Sequence, residues 1–251
     1  GYESRTPTFA RHLHREYQSL FGRCTAKCCQ SLSSQNMLAA NLELAHTVQQ
    51  IIEFIGTFAF AISGIRMAAA KHFDWFGGFV CGFAVAIGGG TIRDVMLGAI
   101  PFWMTSTIYI ICTIIAMLVV IVFAKSLIRW ENAWLTFDTF GLALFTIAGL
   151  QKTLQYDHPF WVAIIMGCIT GVAGGIIRDV LLNQEPVIFQ KDIYAMASVA
   201  GGLLYWLLFK LEVNVGITSI ATFLAICCIR FLAIKYHISL PILRDEIKDH
   251  S

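Results

Sequence analysis

Two short runs in this chain hold the residues best able to do chemistry in an apolar setting. The first reads Gly88-Gly89-Gly90-Thr91-Ile92-Arg93-Asp94 and the second Ala173-Gly174-Gly175-Ile176-Ile177-Arg178-Asp179. Consecutive glycines inside a membrane helix free backbone groups, which is tolerated at depth only where protein or a water-filled cavity satisfies them. A half-helix restarting after such a break presents its positive N-terminus, and unwound carbonyls offer ligands for a cation. An arginine or aspartate turned to lipid at mid-depth costs at least about 2.5–3.5 kcal/mol, so both charged pairs are expected to face protein or a path through it. The chemistry implied is ion handling: a salt-bridge lock, a lining for a polar path, or a gate that uses both. Residues adjacent on a helix do not face each other. The expectation is therefore pairing between the runs, Arg93 with Asp179 and Arg178 with Asp94, or one member of each pair lining the path.

Three more residues join these candidates. Glu53 and Asp138 stand near the starts of two apolar segments, where a carboxylate either attracts cations to a mouth or complements the helix macrodipole. Ser63, beside Gly64, supplies a hydroxyl to an ion path or permits close helix packing. Other chemistries are excluded by what accompanies these residues. The glycine runs lack the Lys-Ser/Thr and the preceding strand of a phosphate loop. Ser63 has no histidine at comparable depth, His72 falling in a loop, and no His or Glu pair has metalloprotease spacing, so no enzyme, catalytic residue or cofactor is expected.

The elements that must position these side chains are membrane helices. Of 251 residues, 57% are hydrophobic and 14% charged, against about 45–50% and about 25% in soluble domains. A formal charge of +2 gives no polycationic surface, so nucleic acid is not an expected partner. Roughly 20 apolar residues cross the hydrocarbon core, and seven segments qualify: Val48–Ala70, Phe76–Leu97, Ser106–Ala124, Trp134–Leu150, Phe160–Leu182, Ile193–Phe209 and Val215–Ile234. The third, sixth and seventh read as plain apolar helices, with Arg230 snorkelling to the interface. Trp103, Trp130, Trp134 and Trp161 read as an interfacial aromatic belt. Lys71, Lys125, Arg129, Lys191, Lys235, Arg244 and Lys248 fall on one side, against Lys152 and Lys210 on the other. This bias puts the C-terminus in the cytoplasm and the N-terminus outside. Residues 1–47 are polar and read as a disordered leader; Cys24, Cys28 and Cys29 lack the second Cys pair or His of a zinc site, so no metal is expected there.

The seven segments are not independent. Residues 53–104 align without a gap on 138–189, with thirteen identities in fifty-two positions concentrated in glycines and in the Arg-Asp pair. Every matched pair is 85 residues apart. Each copy holds three spans, an odd number, so the second copy must cross in the opposite sense. The expected fold class is an all-α membrane protein of seven helices, as two inverted three-helix repeats plus a seventh helix. Its divisions are a first repeat over 48–130, a second over 131–211, a last helix over 212–235 and a tail over 236–251. Transport sites in such folds lie near the midplane, where the broken helices meet. Small residues spaced by four, Gly78, Gly82, Ala86, Gly90 and Ala163, Gly167, Gly171, Gly175, form ladders that let helix backbones approach.

The motifs Ala61-Ile62-Ser63-Gly64, Gly88-Gly89-Gly90-Thr91-Ile92-Arg93-Asp94-Val95-Met96-Leu97-Gly98 and Gly174-Gly175-Ile176-Ile177-Arg178-Asp179-Val180-Leu181-Leu182 carry a resemblance. From about Ile51 to Ile234 the chain resembles the bacterial branch of the trimeric intracellular cation (TRIC) channel family, whose repeated unit is also labelled a glycine-transporter domain. The resemblance implies a three-plus-three-plus-one fold, a homotrimer in a bacterial inner membrane, and a potassium-permeable, hourglass-shaped pore in each protomer, kinked at the glycines of helices two and five. The second copy departs from the pattern at Ala173 and Asn183, which sets equal roles of the two halves in doubt. A potassium channel and a small-amino-acid transporter both fit this plan.

Overall fold

A computed structural model describes residues 47–124, 132–189 and 193–236. The expectations for residues 1–46, for Lys125, Arg129, Trp130 and Lys191, and for the tail beyond Tyr236 lie outside them. Among the described residues there are seven α-helices: α1 (Thr47–Ala70), α2 (Trp75–Met96), α3 (Ile108–Val122), α4 (Ala133–Gln155), α5 (Phe160–Leu181), α6 (Ala195–Lys210) and α7 (Val215–Tyr236). Five are long and apolar enough to cross a membrane; α3 and α6, at 15 and 16 residues, are apolar but shorter than expected. The chain ahead of each is spent on a proline followed by a 3-10 turn, Phe102–Met104 after Pro101 and Val187–Phe189 after Pro186.

Local signals explain the helix ends, and they too repeat. The Asp74 side chain accepts the Gly77 N–H at 2.7 Å and starts α2. Past α2 the chain turns through Gly98 at φ 68°, and past α5 through Asn183 at φ 50°. Each turn is closed by the amide that follows it, Ala99 N–H to the Asp94 carbonyl and Gln184 N–H to the Asp179 carbonyl, both at 2.8 Å. The left-handed residues that end α1 and α4, His72 and Asp157, are likewise 85 positions apart.

Helices α2 and α5 run unbroken through Gly88–Gly90 and Gly174–Gly175. This corrects the expectation of an unwound stretch: these glycines let two backbones touch. A Cβ on Gly89 would strike the Thr170 carbonyl oxygen, and one on Gly174 would lie 3.0 Å from the Val85 carbonyl oxygen. Val85 and Thr170 are counterparts in the repeat, so the two contacts are reciprocal, as across a two-fold interface. A Cβ on Gly56 would lie 3.1 Å from the Phe145 ring and one on Gly141 would overlap the Phe60 ring, a second reciprocal pair that joins α1 to α4. Within each copy, a Cβ on Gly64 would come within 3.1 Å of the Gly82 Cα and one on Gly149 within 2.8 Å of the Gly167 Cα. The ladder glycines Gly82, Gly167 and Gly171 thus lie at the contacts of α1 with α2 and of α4 with α5, while the approach of α2 to α5 rests on Gly89 and Gly174, outside the ladders.

Polar side chains collect inside and apolar ones outside. Ile111, Ile114, Ile115 and Leu118 of α3 and Ile217, Ile220 and Leu224 of α7 are exposed, while Thr57, Thr113, Thr146, Thr170 and Thr222 are buried. Most of the buried threonines bond a carbonyl one turn back, as Thr146 does to Leu142 at 2.7 Å. The last helix is more than an appendage, since Gln151 of α4 donates to Ser219 of α7 at 2.9 Å.

Candidate functional site

The first repeat places Glu53 in the second turn of α1 and Arg93-Asp94 in the last turn of α2. Arg93 Nη2 lies 2.8 Å from Glu53 Oε1, and Arg93 Nε donates to Asp94 Oδ1 at 2.7 Å. Asp94 Oδ2 accepts the Phe102 N–H at 2.8 Å, so the aspartate also pins the chain that returns after Pro101. Gln49 and Tyr109 complete the Glu53 carboxylate, each donating at 3.4 Å.

The second repeat builds the same cluster 85 residues on. Asp138 pairs with Arg178, Arg178 Nε donates to Asp179 Oδ1 at 2.9 Å, and Asp179 Oδ2 accepts the Val187 N–H at 2.9 Å. Tyr194, the counterpart of Tyr109, donates to Asp138 Oδ1 at 3.3 Å. Arg93, Asp94, Asp138 and Arg178 show no exposed surface, and Glu53 and Asp179 almost none.

Three expectations are corrected by this geometry. Neither arginine pairs with the aspartate of the other run; each is bound by acids of its own copy. Helix spacing fixes where a Cβ points, yet an arginine is long enough to fold back along the helix end and meet the next residue. Glu53 and Asp138 are not free carboxylates at a mouth or a helix end, because a guanidinium reaches each one. Arg230 does not snorkel: it is fully buried, its guanidinium lies 4.6 Å from the centroid of the Tyr194 ring, and Nη1 donates to the Ile193 carbonyl at 3.2 Å.

Two contacts tie the halves together. Ser63 accepts from Arg178 Nη1 at 3.0 Å and donates to the Trp134 carbonyl at 3.2 Å, so this hydroxyl bridges α1, α4 and α5. Trp134, expected in the interfacial belt, also lays its ring 5.0 Å from the Arg178 guanidinium. Lys152, read from sequence as a flanking charge, reaches from α4 to Asp94 Oδ1 at 2.9 Å. Tyr109, Lys152, Tyr194 and Arg230 are the residues that sequence reasoning missed. The two tyrosines were within its reach, since they keep the 85-residue offset just past the aligned stretch.

Asp94 and Asp179 thereby act as staples for the 3-10 turns. Asp179→Asn is expected to keep at most one of its two acceptor roles intact. Amide hydrogen exchange over 186–189 should rise by about tenfold with that over α4 unchanged, since one buried hydrogen bond to a charged group contributes about 1.5–3 kcal/mol.

Comparison with known proteins places these features in a family. The family model described as Glycine transporter matches twice, over residues 50–125 and 135–210. A UPF0126 membrane protein of Vibrio cholerae is 37% identical over 196 residues, covering 76% of this chain and 81% of the relative. The UPF0126 inner membrane protein YadS of Escherichia coli is 35% identical over 193 residues, covering 76% and 93%. Among solved structures, the TRIC trimeric intracellular cation channel orthologue from Rhodobacter sphaeroides superposes with a TM-score of 0.72 at 30% identity, covering 76% of this chain and all of that one. A second TRIC cation channel gives 0.70 at 33% identity, covering 78% and 98%.

Proposed function

Because the chain belongs to the family described as Glycine transporter, matching its model in both halves, and is an integral membrane protein whose solved relatives are TRIC channels and not enzymes, we propose that it is a monovalent-cation channel of TRIC type. The observation that carries this reading is the pair of buried carboxylate–arginine clusters, one in each half of a fold shared with cation channels. Potassium is the permeant ion, and no cofactor takes part. Each protomer of a homotrimer holds its own path, running beside the glycine-rich stretches of α2 and α5, where bending at Gly88–Gly90 and Gly174–Gly175 sets the width. Arg93, Asp94, Arg178 and Asp179, with Glu53, Asp138 and Ser63, form the constriction. The two copies cross the membrane in opposite senses. That reading is supported by the odd number of helices per copy and by the reciprocal contacts between copies. The chain lies in the bacterial inner membrane with its N-terminus outside and its C-terminus in the cytoplasm.

The second reading is secondary transport of glycine or another small amino acid, which the family's description favours. Planar-bilayer recording of purified protein in asymmetric potassium and sodium, with glycine added as competitor, separates the two. Unitary potassium currents indifferent to glycine are expected. Saturable glycine uptake without unitary current would replace the channel by the transporter. In the same recordings, Arg93→Lys and Arg178→Lys keep the charge but lose the planar fork, and unitary conductance should change by about two-fold or more. Unchanged current in the double variant would remove both guanidiniums from the path.

A further inference from the structure

The two ionic clusters match in all their repeat-related ion pairs, but they do not balance. In the first, the carboxylates of Glu53 and Asp94 face two cations, Arg93 and Lys152. In the second, Asp138 and Asp179 share Arg178 alone among the described residues. The cause lies in the repeat. Lys152 comes from the other copy, and the 85-residue offset puts Met67 of α1 at its counterpart position, a buried thioether with no charge to give. Over the described residues the formal sum is therefore zero in the first cluster and minus one in the second.

The imbalance has an atomic address. Asp138 is fully buried and its Oδ2 has no hydrogen-bond partner among the described residues, although a buried carboxylate is stable only when paired and hydrogen-bonded. Arg230 is the other buried cation of this half, but it makes no ion pair among the described residues. The Tyr194 ring stands between, its face under the Arg230 guanidinium and its hydroxyl donating to Asp138 Oδ1. The same cluster holds further hard oxygen donors on the Arg178 guanidinium, the Asp179 carboxylate and the Ser63 hydroxyl, of the type that suits an alkali-metal ion. One missing positive charge calls for a monovalent ion.

We propose that the second cluster is a seat for one monovalent cation, held by the Asp138 and Asp179 carboxylates and supplying the charge that the Lys152 ammonium supplies in the first cluster. The first half carries its cation covalently and the second takes it from solution. The identity of that ion as the permeant species rests on the channel reading; the seat itself is testable without conduction.

The test uses the full chain in lipid nanodiscs and thallium(I) as the probe, at ionic strength fixed with N-methylglucamine. Wild type should bind one thallium ion per chain, displaced by potassium. Met67→Lys supplies the missing ammonium and should weaken binding at least tenfold, with Met67→Leu as the uncharged control. Lys152→Met opens the first cluster and should add a second equivalent, so a poorly folding Met67→Lys protein does not end the test. No binding by wild type, wild-type affinity in folded Met67→Lys, or a single equivalent in Lys152→Met would each overturn the seat. Unitary current without thallium binding overturns the seat and leaves the channel standing. Binding that follows the substitutions without any current supports the seat and overturns the channel.

Discussion

Replacing Gly89 with alanine should leave little protein in a monodisperse folded peak on size-exclusion chromatography in detergent. The same change at Gly78, on the same face of α2, should elute as wild type. The two positions are glycines eleven residues apart, close to three full turns of the helix, and differ in what stands opposite. A methyl at Gly78 meets nothing within 4 Å. A methyl at Gly89 would overlap the carbonyl oxygen of Thr170, part of the α5 backbone, and no side-chain rotation relieves it. The helices would have to separate at the crossing where Gly174 also packs against Val85, so both halves of the contact are lost together. Overpacking in a fixed interior costs typically about 1–3 kcal/mol, and a clash with backbone belongs at or beyond the top of that range. Equal recovery of the two variants would show that α2 and α5 are free to shift apart.

Arg178→Met should destabilise the fold by about 3–5 kcal/mol, the range for breaking a buried ion pair by removing one partner. It leaves the buried Asp138 and Asp179 with no cationic side chain in contact among the described residues. Arg93→Met should cost less, because Lys152 stays at 2.9 Å from Asp94. Thermal unfolding in one detergent at one salt concentration measures both. Adding Asp138→Asn to Arg178→Met should recover part of the loss, since it removes one stranded charge. A result in which the two arginines cost the same would mean that Lys152 contributes no compensation to the first cluster.

The repeat made much of this legible before any coordinates. The 85-residue offset identified Glu53 with Asp138 and Arg93-Asp94 with Arg178-Asp179, and all six meet in the two clusters. The partner choice was not legible, because periodicity reports the face a side chain leaves from and not how far a flexible guanidinium travels. The glycine triplet was ambiguous for a different reason: unwinding and close approach demand the same residue, and only Thr170 on the neighbouring helix decides between them. Lys152 was hidden by the method that found the others. A search for matched positions passes over a residue whose counterpart, Met67, differs from it. Arg230 was misjudged because a charge near a helix end usually finds water, whereas here an aromatic ring and a carbonyl lie inward.

The containment of each ion pair within one copy bears on how the chain is made. Glu53 precedes Arg93 by forty residues, and Asp138 precedes Arg178 by forty. Each arginine thus leaves the ribosome with its acid already ahead of it on the previous helix. The first copy can neutralise its guanidinium before the second has been translated, and neither Arg93 nor Arg178 waits on a later segment for its acid. What the later half adds is the Lys152 contact to Asp94 and the glycine crossings, while the earlier half returns Ser63 to Arg178. Synthesis of the pair is then a sequence of two hairpins, each with its guanidinium already paired, followed by one docking event.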